Sequence, residues 1–392
     1  CVECAQSFGG IMKSCRFVVA LATACLGITT IAGGVALADP TDQAPKGPYS
    51  ATFIAEKILY PSMFGVSAGL PVADVSGVQL ANGKVRAYVF AQNKGVVIAE
   101  SSDGKTFTQV GSAFGSDNGQ GMPRVMKLAD GRFRLFTYSS EGITCSTSSD
   151  GLSFTIEKAG CIRASWYSGA ENGLTGAGVV KLSNGTYRAF FSDAVKAGTG
   201  PDPHRVYSAT SSDGVTWTAD SGVRVGAGSS LTRSAEHPAA VVHTDGSVTI
   251  FYYDNGARQG LDSAGKQKME PSAQGLWYAT STDGGMTFAN EYKMEFPSQF
   301  AKGFGNDPDV FLDASGNLIL WGGGFDNSFG GYIGSVKLTK GTGSTGSSGS
   351  TSGGSTTKPT SPKTVTITCV KGSTTKKVTA VKPLCPPGYK KK

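Results

Sequence analysis

Carboxylates recur at one kind of position in this chain of 392 residues. Asp74, the stretch Glu236-His237-Pro238 and the stretch Asn306-Asp307-Pro308-Asp309 each stand at the opening of an apolar, strand-like run. Asp254 closes another such run, next to Tyr253. Carboxyl groups gathered in this way suit the hydrolysis of a glycosidic bond. One protonates the leaving oxygen, and another attacks or activates water. Crowding separates their pKa values, so an acid and a base coexist near neutral pH. Asp74, Glu236, Asp307 and Asp309 are therefore the candidate catalytic residues. Arg124 and Arg233 could grip a sugar carboxylate through paired hydrogen bonds. With His237, Tyr253 and Asp254 they form the candidate substrate-binding set. Each has a plainer reading: Asx-Pro favours turns, Asp74 could cap a strand entry, and a strand-end tyrosine is ordinary core material. His243 reads as a packed inner-strand residue. With three His in the chain and no H-E-x-x-H, zinc is not expected. An acidic face leaves calcium as the metal it could take. No organic cofactor is expected, since neither a P-loop nor a dinucleotide fingerprint occurs.

The elements that must position these residues form a repeat. Ser101-Ser102-Asp103-Gly104-Lys105-Thr106-Phe107 returns as Ser148-Ser149-Asp150-Gly151-Leu152-Ser153-Phe154 and as Ser211-Ser212-Asp213-Gly214-Val215-Thr216-Trp217. It returns once more as Ser281-Thr282-Asp283-Gly284-Gly285-Met286-Thr287-Phe288. In each, the Asp side chain can accept turn N–H groups, and Gly tolerates positive φ. A second turn, such as Asn82-Gly83 or Asp130-Gly131, precedes each in the same order. Between them lie half-buried runs of strand length. The order strand, turn, strand, loop, strand, Asp-Gly turn, strand begins at Val75 and recurs until Leu338, where the last copy lacks its outer strand. This predicts an all-β fold: a five-bladed β-propeller of four-stranded antiparallel blades, with six blades the alternative. The N-terminal run Ala51–Tyr60 is expected to supply the missing strand and close the ring. All the Asp-Gly and Asn-Gly turns then fall on one face. The opposite face receives the long insertions Asp193–His204 and Asp254–Gln274 together with the acidic residues.

The four Ser-x-Asp-Gly stretches resemble the Asp-box (BNR) repeats of the sialidase-like superfamily over roughly residues 69–340. The resemblance implies that Asp103, Asp150, Asp213 and Asp283 are fold markers on the face away from the active site. It also implies a sialidase-like, exo-acting glycoside hydrolase or a propeller that binds glycans without cleaving them. Sialidases have six blades, an arginine triad, a tyrosine nucleophile and an aspartate acid/base. Here five blades are counted, Arg124 and Arg233 supply two arginines, and neither Arg205 nor Arg258 is placed as a third. The five-blade count resembles the furanosidase-like glycoside hydrolases, whose carboxylates come from the starts of inner strands, as Asp74 and Asp307 would.

Outside the repeat, the basic stretch Met12–Arg16, the apolar run 17–37 and Ala36-Leu37-Ala38 read as a secretory signal, which with the upstream residues 1–11 makes up residues 1–38. A secreted or cell-surface protein is then expected. In that setting Cys145/Cys161 and Cys369/Cys385 read as two local disulfides. The propeller spans 39–340, a Gly/Ser/Thr-rich linker 341–363, and a short tail module 364–392. From Lys358 onward the chain holds nine Lys and no acid, against a whole-chain net charge of +7. Such a tail would attract acidic envelope polymers or anionic headgroups. It resembles short C-terminal modules of exported actinobacterial proteins. The expected partner is a glycan or envelope polysaccharide, not nucleic acid, and a monomer is expected. Two readings stand: an exported glycoside hydrolase, or a non-catalytic glycan- or envelope-binding propeller.

Overall fold

The structure, a computed structural model, describes residues 44–116, 119–194, 203–301, 303–341, 365–372, 374–380, 385 and 388–392. The signal segment and nearly all of the linker named above lie outside these residues. The chain divides into two compact units, Cys1–Ser344 and Thr345–Lys392. Among the described residues no helix is long and apolar enough to cross a membrane.

The first unit is built from five four-stranded antiparallel sheets. The first contains β2 (Val72–Gln79), β3 (Val85–Ala91), β4 (Gly95–Ser101) and β5 (Thr108–Phe114). The second contains β6 (Gly121–Lys127), β7 (Phe133–Ser139), β8 (Gly142–Ser148) and β9 (Thr155–Arg163). The third contains β10 (Leu174–Lys181), β11 (Tyr187–Asp193), β12 (Val206–Ser211) and β13 (Trp217–Ala219). The fourth contains β14 (Glu236–Val242), β15 (Val248–Asp254), β18 (Gly275–Ser281) and β19 (Ala289–Lys293). Between β15 and β18 the hairpin of β16 (Ala257–Leu261) and β17 (Gln267–Met269) is inserted.

The fifth sheet closes the ring as the repeat pattern requires. β20 (Asn306–Leu312), β21 (Leu318–Asp326) and β22 (Gly330–Lys340) are joined by β1 (Tyr49–Leu59) from the start of the described chain. β1 runs antiparallel to β22, from Tyr49 opposite Lys340 to Leu59 opposite Ile333. The inner strands β2, β6, β10, β14 and β20 neighbour one another around a circle, with β20 returning to β2. Between the sheets pack the alternate residues the strands turn inward. Ile58, Leu59, Val75, Ala87, Val89 and Ile333 form one such layer, all fully buried.

The four repeated turns share one bonding scheme. Ser101 Oγ donates to Asp103 Oδ1 at 2.7 Å, and the same oxygen accepts the N–H groups of Lys105 and Thr106 at 2.8 and 2.7 Å. Asp150, Asp213 and Asp283 accept the equivalent N–H groups of their own turns. Hydrogen bonds to backbone N–H hold the Asp150 carboxyl low, at about 2. Gly104, Gly151, Gly214 and Gly284 all have φ near +70° (69° to 74°), where a side chain would be strained. The closing aromatics Phe107, Trp217 and Phe288 are buried between sheets.

Cys145 on β8 and Cys161 on β9 form a disulfide across neighbouring strands of the second sheet. Cys161 lies within the outer strand β9. Both sulfurs are fully buried. Replacing both cysteines by serine should lower stability by about 3 kcal/mol for a separation of 16 residues. In a thermal melt that is a fall of roughly 5–10 °C. An unchanged midpoint would show that the bond adds nothing to the sheet. In the second unit, β23 (Val365–Lys371) pairs with β24 (Thr374–Ala380) and with β25 (Lys390–Lys391). There Cys369 and Cys385 are disulfide-bonded.

Candidate active site

Every inner strand opens with the same irregularity. The pairing of inner strand with second strand slips at 73/76, 121/124, 175/178, 236/239 and 306/309. In each slip the second residue has left-handed backbone: Asp74 (φ 53°), Met122 (50°), Gly176 (52°), His237 (45°) and Asp307 (47°). Non-glycine residues avoid this region unless the surroundings impose it, and such bulges re-aim a side chain next to functional sites. Five symmetric bulges therefore turn four side chains, and one bare glycine, in the same sense at the strand entries. At Gly176 a Cβ would lie 3.1 Å from His237 Cα, so the small residue leaves room for the imidazole. Proline follows the turned residue in three cases, as Pro123, Pro238 and Pro308. It fits because a bulge frees one ladder N–H.

Three of the turned side chains meet. His237 Nδ1 is paired with Asp307 Oδ1 and lies 3.6 Å from Asp74 Oδ1. Asp74 and Asp307 are 8 % and 9 % exposed, so both carboxyls are almost wholly buried. Burial, and then the charge of Asp307, push the Asp74 carboxyl up to about 7. Burial acts the same way on Asp307, but the imidazolium of His237 outweighs it and holds that carboxyl below its ordinary value. His237 is opposed by its own burial, yet the negative charge of Asp307 and its hydrogen bond raise it to about 9. The arrangement keeps one carboxyl protonated and its neighbour ionised at the same pH. One ligand atom from each of the three residues lies within 4.8 Å of the others. A divalent cation could be held there only by giving up the His237–Asp307 bond, and the mixed N/O set does not suit calcium, which takes oxygen ligands.

Glu236, beside His237, is held separately. Its Oε1 accepts from Asn255 Nδ2 and lies 3.2 Å from His204 Nε2. Burial lowers the His204 pKa, but hydrogen bonds to Asp193 and Glu236 win and raise it to about 10. The protonated ring therefore bridges Glu236 to Asp193, whose carbonyl accepts from Nδ1 at 2.7 Å. The sequence reading used His204 only as the end of an insertion. Its signal was available, since it is one of three His in the chain. Tyr253 pairs with Glu236 across β14 and β15 and is half-buried.

Four of the residues named from the sequence sit elsewhere than expected. Arg124 is 3 % exposed and donates to the carbonyls of Val75, Pro123 and Pro308 at 2.9, 3.0 and 3.1 Å. It stands two residues past the bulge and bonds backbone carbonyls of the first, second and fifth sheets, so it ties three blades rather than clamping a ligand. Asp309 occupies the same position in β20 and accepts Gly77 N–H at 2.7 Å. Burial raises it to about 6, beneath the cluster rather than in it. Arg233 is paired with Glu291 at 2.6 Å and stacked 3.5 Å over the Trp277 ring. Asp254 is fully buried, with Arg258 bound to both its oxygens at 3.0 and 2.8 Å, and anchors the root of the inserted hairpin. His243 is packed as expected, between the Ala44 carbonyl and Thr249. Replacing Arg124 by Met would leave three carbonyls without their donor and the buried acids without a counter-charge. A loss of about 3–5 kcal/mol is expected by chemical denaturation. A loss under 1 kcal/mol would contradict this tying role.

No family model matches the chain, and no curated protein does. Solved structures do share its architecture. A thermostable family-43 glycoside hydrolase is 14% identical with a TM-score of 0.51, over 71% of this chain and 92% of the other. The endo-arabinase from Bacteroides thetaiotaomicron VPI-5482 is 17% identical with a TM-score of 0.52, over 71% of this chain and 99% of the other. At such identities the likeness is one of fold, and this chain is a β-propeller of the same architecture as those two proteins.

Proposed function

We propose that the chain is an exported glycoside hydrolase that releases terminal sugars from a glycan. The meeting of Asp74, His237 and Asp307 at the strand entries carries the reading, because it sets a protonated carboxyl beside ionised groups. Asp74 gives its proton to the leaving oxygen. Glu236 is the partner that takes a proton from water, since both its described contacts use Oε1. Asp307 and His237 are positioning residues that hold Asp74 near neutrality. The propeller architecture shared with two glycan hydrolases supports the reading at the level of fold alone.

A neutral sugar is the proposed substrate. The arginines suggested for a sialate grip are engaged, Arg124 on carbonyls, Arg233 on Glu291 and Arg258 on Asp254 and Glu270. The Lys-rich tail would hold the exported enzyme near acidic envelope polymers. The test is sugar release from aryl glycosides of pentoses, hexoses and sialic acid. Activity on a neutral glycoside supports the proposal. A wild-type protein silent on every member would favour the non-catalytic binding propeller.

A further inference from the structure

Glu236 is held by two separate segments of the chain, through His204 just ahead of β12 and through Asn255 at the root of the inserted hairpin. The main chain of His204 is bound to the residues that precede Glu236. Its N–H donates to Ser234 Oγ at 2.9 Å, and its carbonyl accepts the Ala235 N–H at 3.2 Å. Those bonds set the buried ring beside the carboxyl, with Nε2 3.2 Å from Oε1. Nδ1 donates to the Asp193 carbonyl at 2.7 Å. A carbonyl only accepts, and so does a carboxylate. Each ring nitrogen must therefore carry a hydrogen, and toward Glu236 the ring is a donor.

Asn255 is oriented as firmly. Its Oδ1 accepts the Ala257 N–H at 2.8 Å, so the amide nitrogen is the atom that faces Glu236. Its carbonyl accepts from Gln274 Nε2 at 2.9 Å, at the far end of the insertion. On its other side Asp254 accepts the Gly256 N–H at 2.8 Å and is bound by Arg258. Gly256 has φ +84°, and a Cβ there would come within 2.9 Å of Gln274 Cγ, so the root follows one tight path. Two fixed donors thus converge on a single oxygen of Glu236. The carboxylates that serve as internal ties are bonded differently, through both oxygens. Asp254 receives Arg258 on both, Glu291 receives Arg233 on one and Tyr252 on the other, and Asp220 receives Ser208 on one and Thr210 on the other.

We propose that His204 and Asn255 are positioning residues for proton transfer at Glu236: they clamp its carboxyl by Oε1 and leave Oε2 to act on water. This rests on the hydrolase reading and deepens it. The test compares full-length His204→Leu, His204→Gln and Asn255→Asp with wild type, in sugar release and in crystal structures. His204→Leu removes one donor, and kcat should fall about 10²-fold with KM within about threefold. In His204→Gln an amide nitrogen stands where Nε2 stood, and most of that loss should be recovered. Asn255→Asp keeps the oxygen that holds Ala257 but sets an acceptor against Oε1. Its kcat should fall as far as that of His204→Leu, at a melting temperature close to wild type. Should His204→Leu fail to fold, Asn255→Asp carries the same comparison. In a Glu236→Gln background neither substitution should lower the residual rate further, because both act through Glu236. In the crystal structures the Glu236 side chain should leave its wild-type position in both His204→Leu and Asn255→Asp. A wild type silent on every glycoside would overturn the hydrolase reading, and the crystal structures would still decide the clamp. A Glu236 carboxyl unmoved in both variants would overturn the clamp whatever the activity. Equal losses in His204→Gln and His204→Leu, or losses undiminished in the Glu236→Gln background, would do the same.

Discussion

Asp74→Asn should lower sugar release on the order of 10²–10⁴-fold while leaving the fold intact. Asn tolerates the left-handed backbone that Asp74 occupies at φ 53°, so the bulge survives. What is lost is the proton. Glu236→Gln should fall by a similar factor, because its amide cannot take a proton from water. In the wild type the rate should decline as pH rises through about 7, where the buried Asp74 ionises. Steady-state rates across pH 5–9 on the best aryl glycoside provide the measurement. Full activity in Asp74→Asn would remove Asp74 from the chemistry.

The same ionisations bear on stability, with a definite sign. Asp74 and His237 both have raised pKa values in the folded chain, about 7 and about 9. The folded state therefore binds protons more tightly than the unfolded state does. The stabilisation from Asp74 is complete below the ordinary carboxylate range and is lost as pH rises through about 7. That from His237 is complete below the ordinary imidazole range and is lost through about 9. Asp307 is lowered, so its contribution runs the other way and is lost only in acid. The melting temperature should thus fall between pH 6 and 9, and Asp74→Asn should flatten the first part of that fall. A wild-type melting temperature that rises over this interval would contradict the assignment.

A chain beginning at residue 60 should fail to give soluble monomer. It lacks β1, and with it Ile58 and Leu59, both fully buried, and Tyr49, which packs on Phe251 and Tyr278. Burial of such side chains contributes about 1.5–3 kcal/mol each, so several kcal/mol vanish from a total of about 5–15. The truncation also bares the long edge of β22, which β1 covers from Tyr49 to Leu59. Exposed edges of that length recruit other chains. Size-exclusion chromatography of the truncated protein, beside one beginning at residue 39, gives the comparison. Adding a peptide of residues 44–60 should restore monomer. A truncated chain that runs as monomer with an unchanged melting temperature would show that the ring closes without β1.

Much of this architecture was legible in the chain because the repeat is local. Ser, Asp, Gly and an aromatic within seven residues specify a turn and the strand leaving it, as Ser101 to Phe107 do. Four such turns fixed the strand count and the face on which they lie. The unpaired run near Ala51 identified the strand that completes the fifth sheet. Cysteine spacing and an expected oxidising environment were enough to pair Cys145 with Cys161 and Cys369 with Cys385.

Residue type and strand position named Asp74, Glu236, His237 and Asp307, but they did not say which would meet. That depended on five bulges, whose left-handed residues emerge only when each inner strand is set against its partner. The same bulges explain Arg124 and Asp309. Two positions further on, both side chains are buried against neighbouring sheets, and both became internal ties. Arg233 was misread because its partner Glu291 comes from a distant strand, and Asp254 because the turn into the inserted hairpin brings Arg258, four residues on, back over it. The sequence by itself determined a ring of four-stranded sheets and its two faces, since these follow from contacts a few residues apart, and its closing strand by elimination, as the run left without a turn partner. The tertiary structure decided which charges face one another, because those encounters join residues as distant as His237 and Asp307, and a chain's local pattern does not record the register that brings them together.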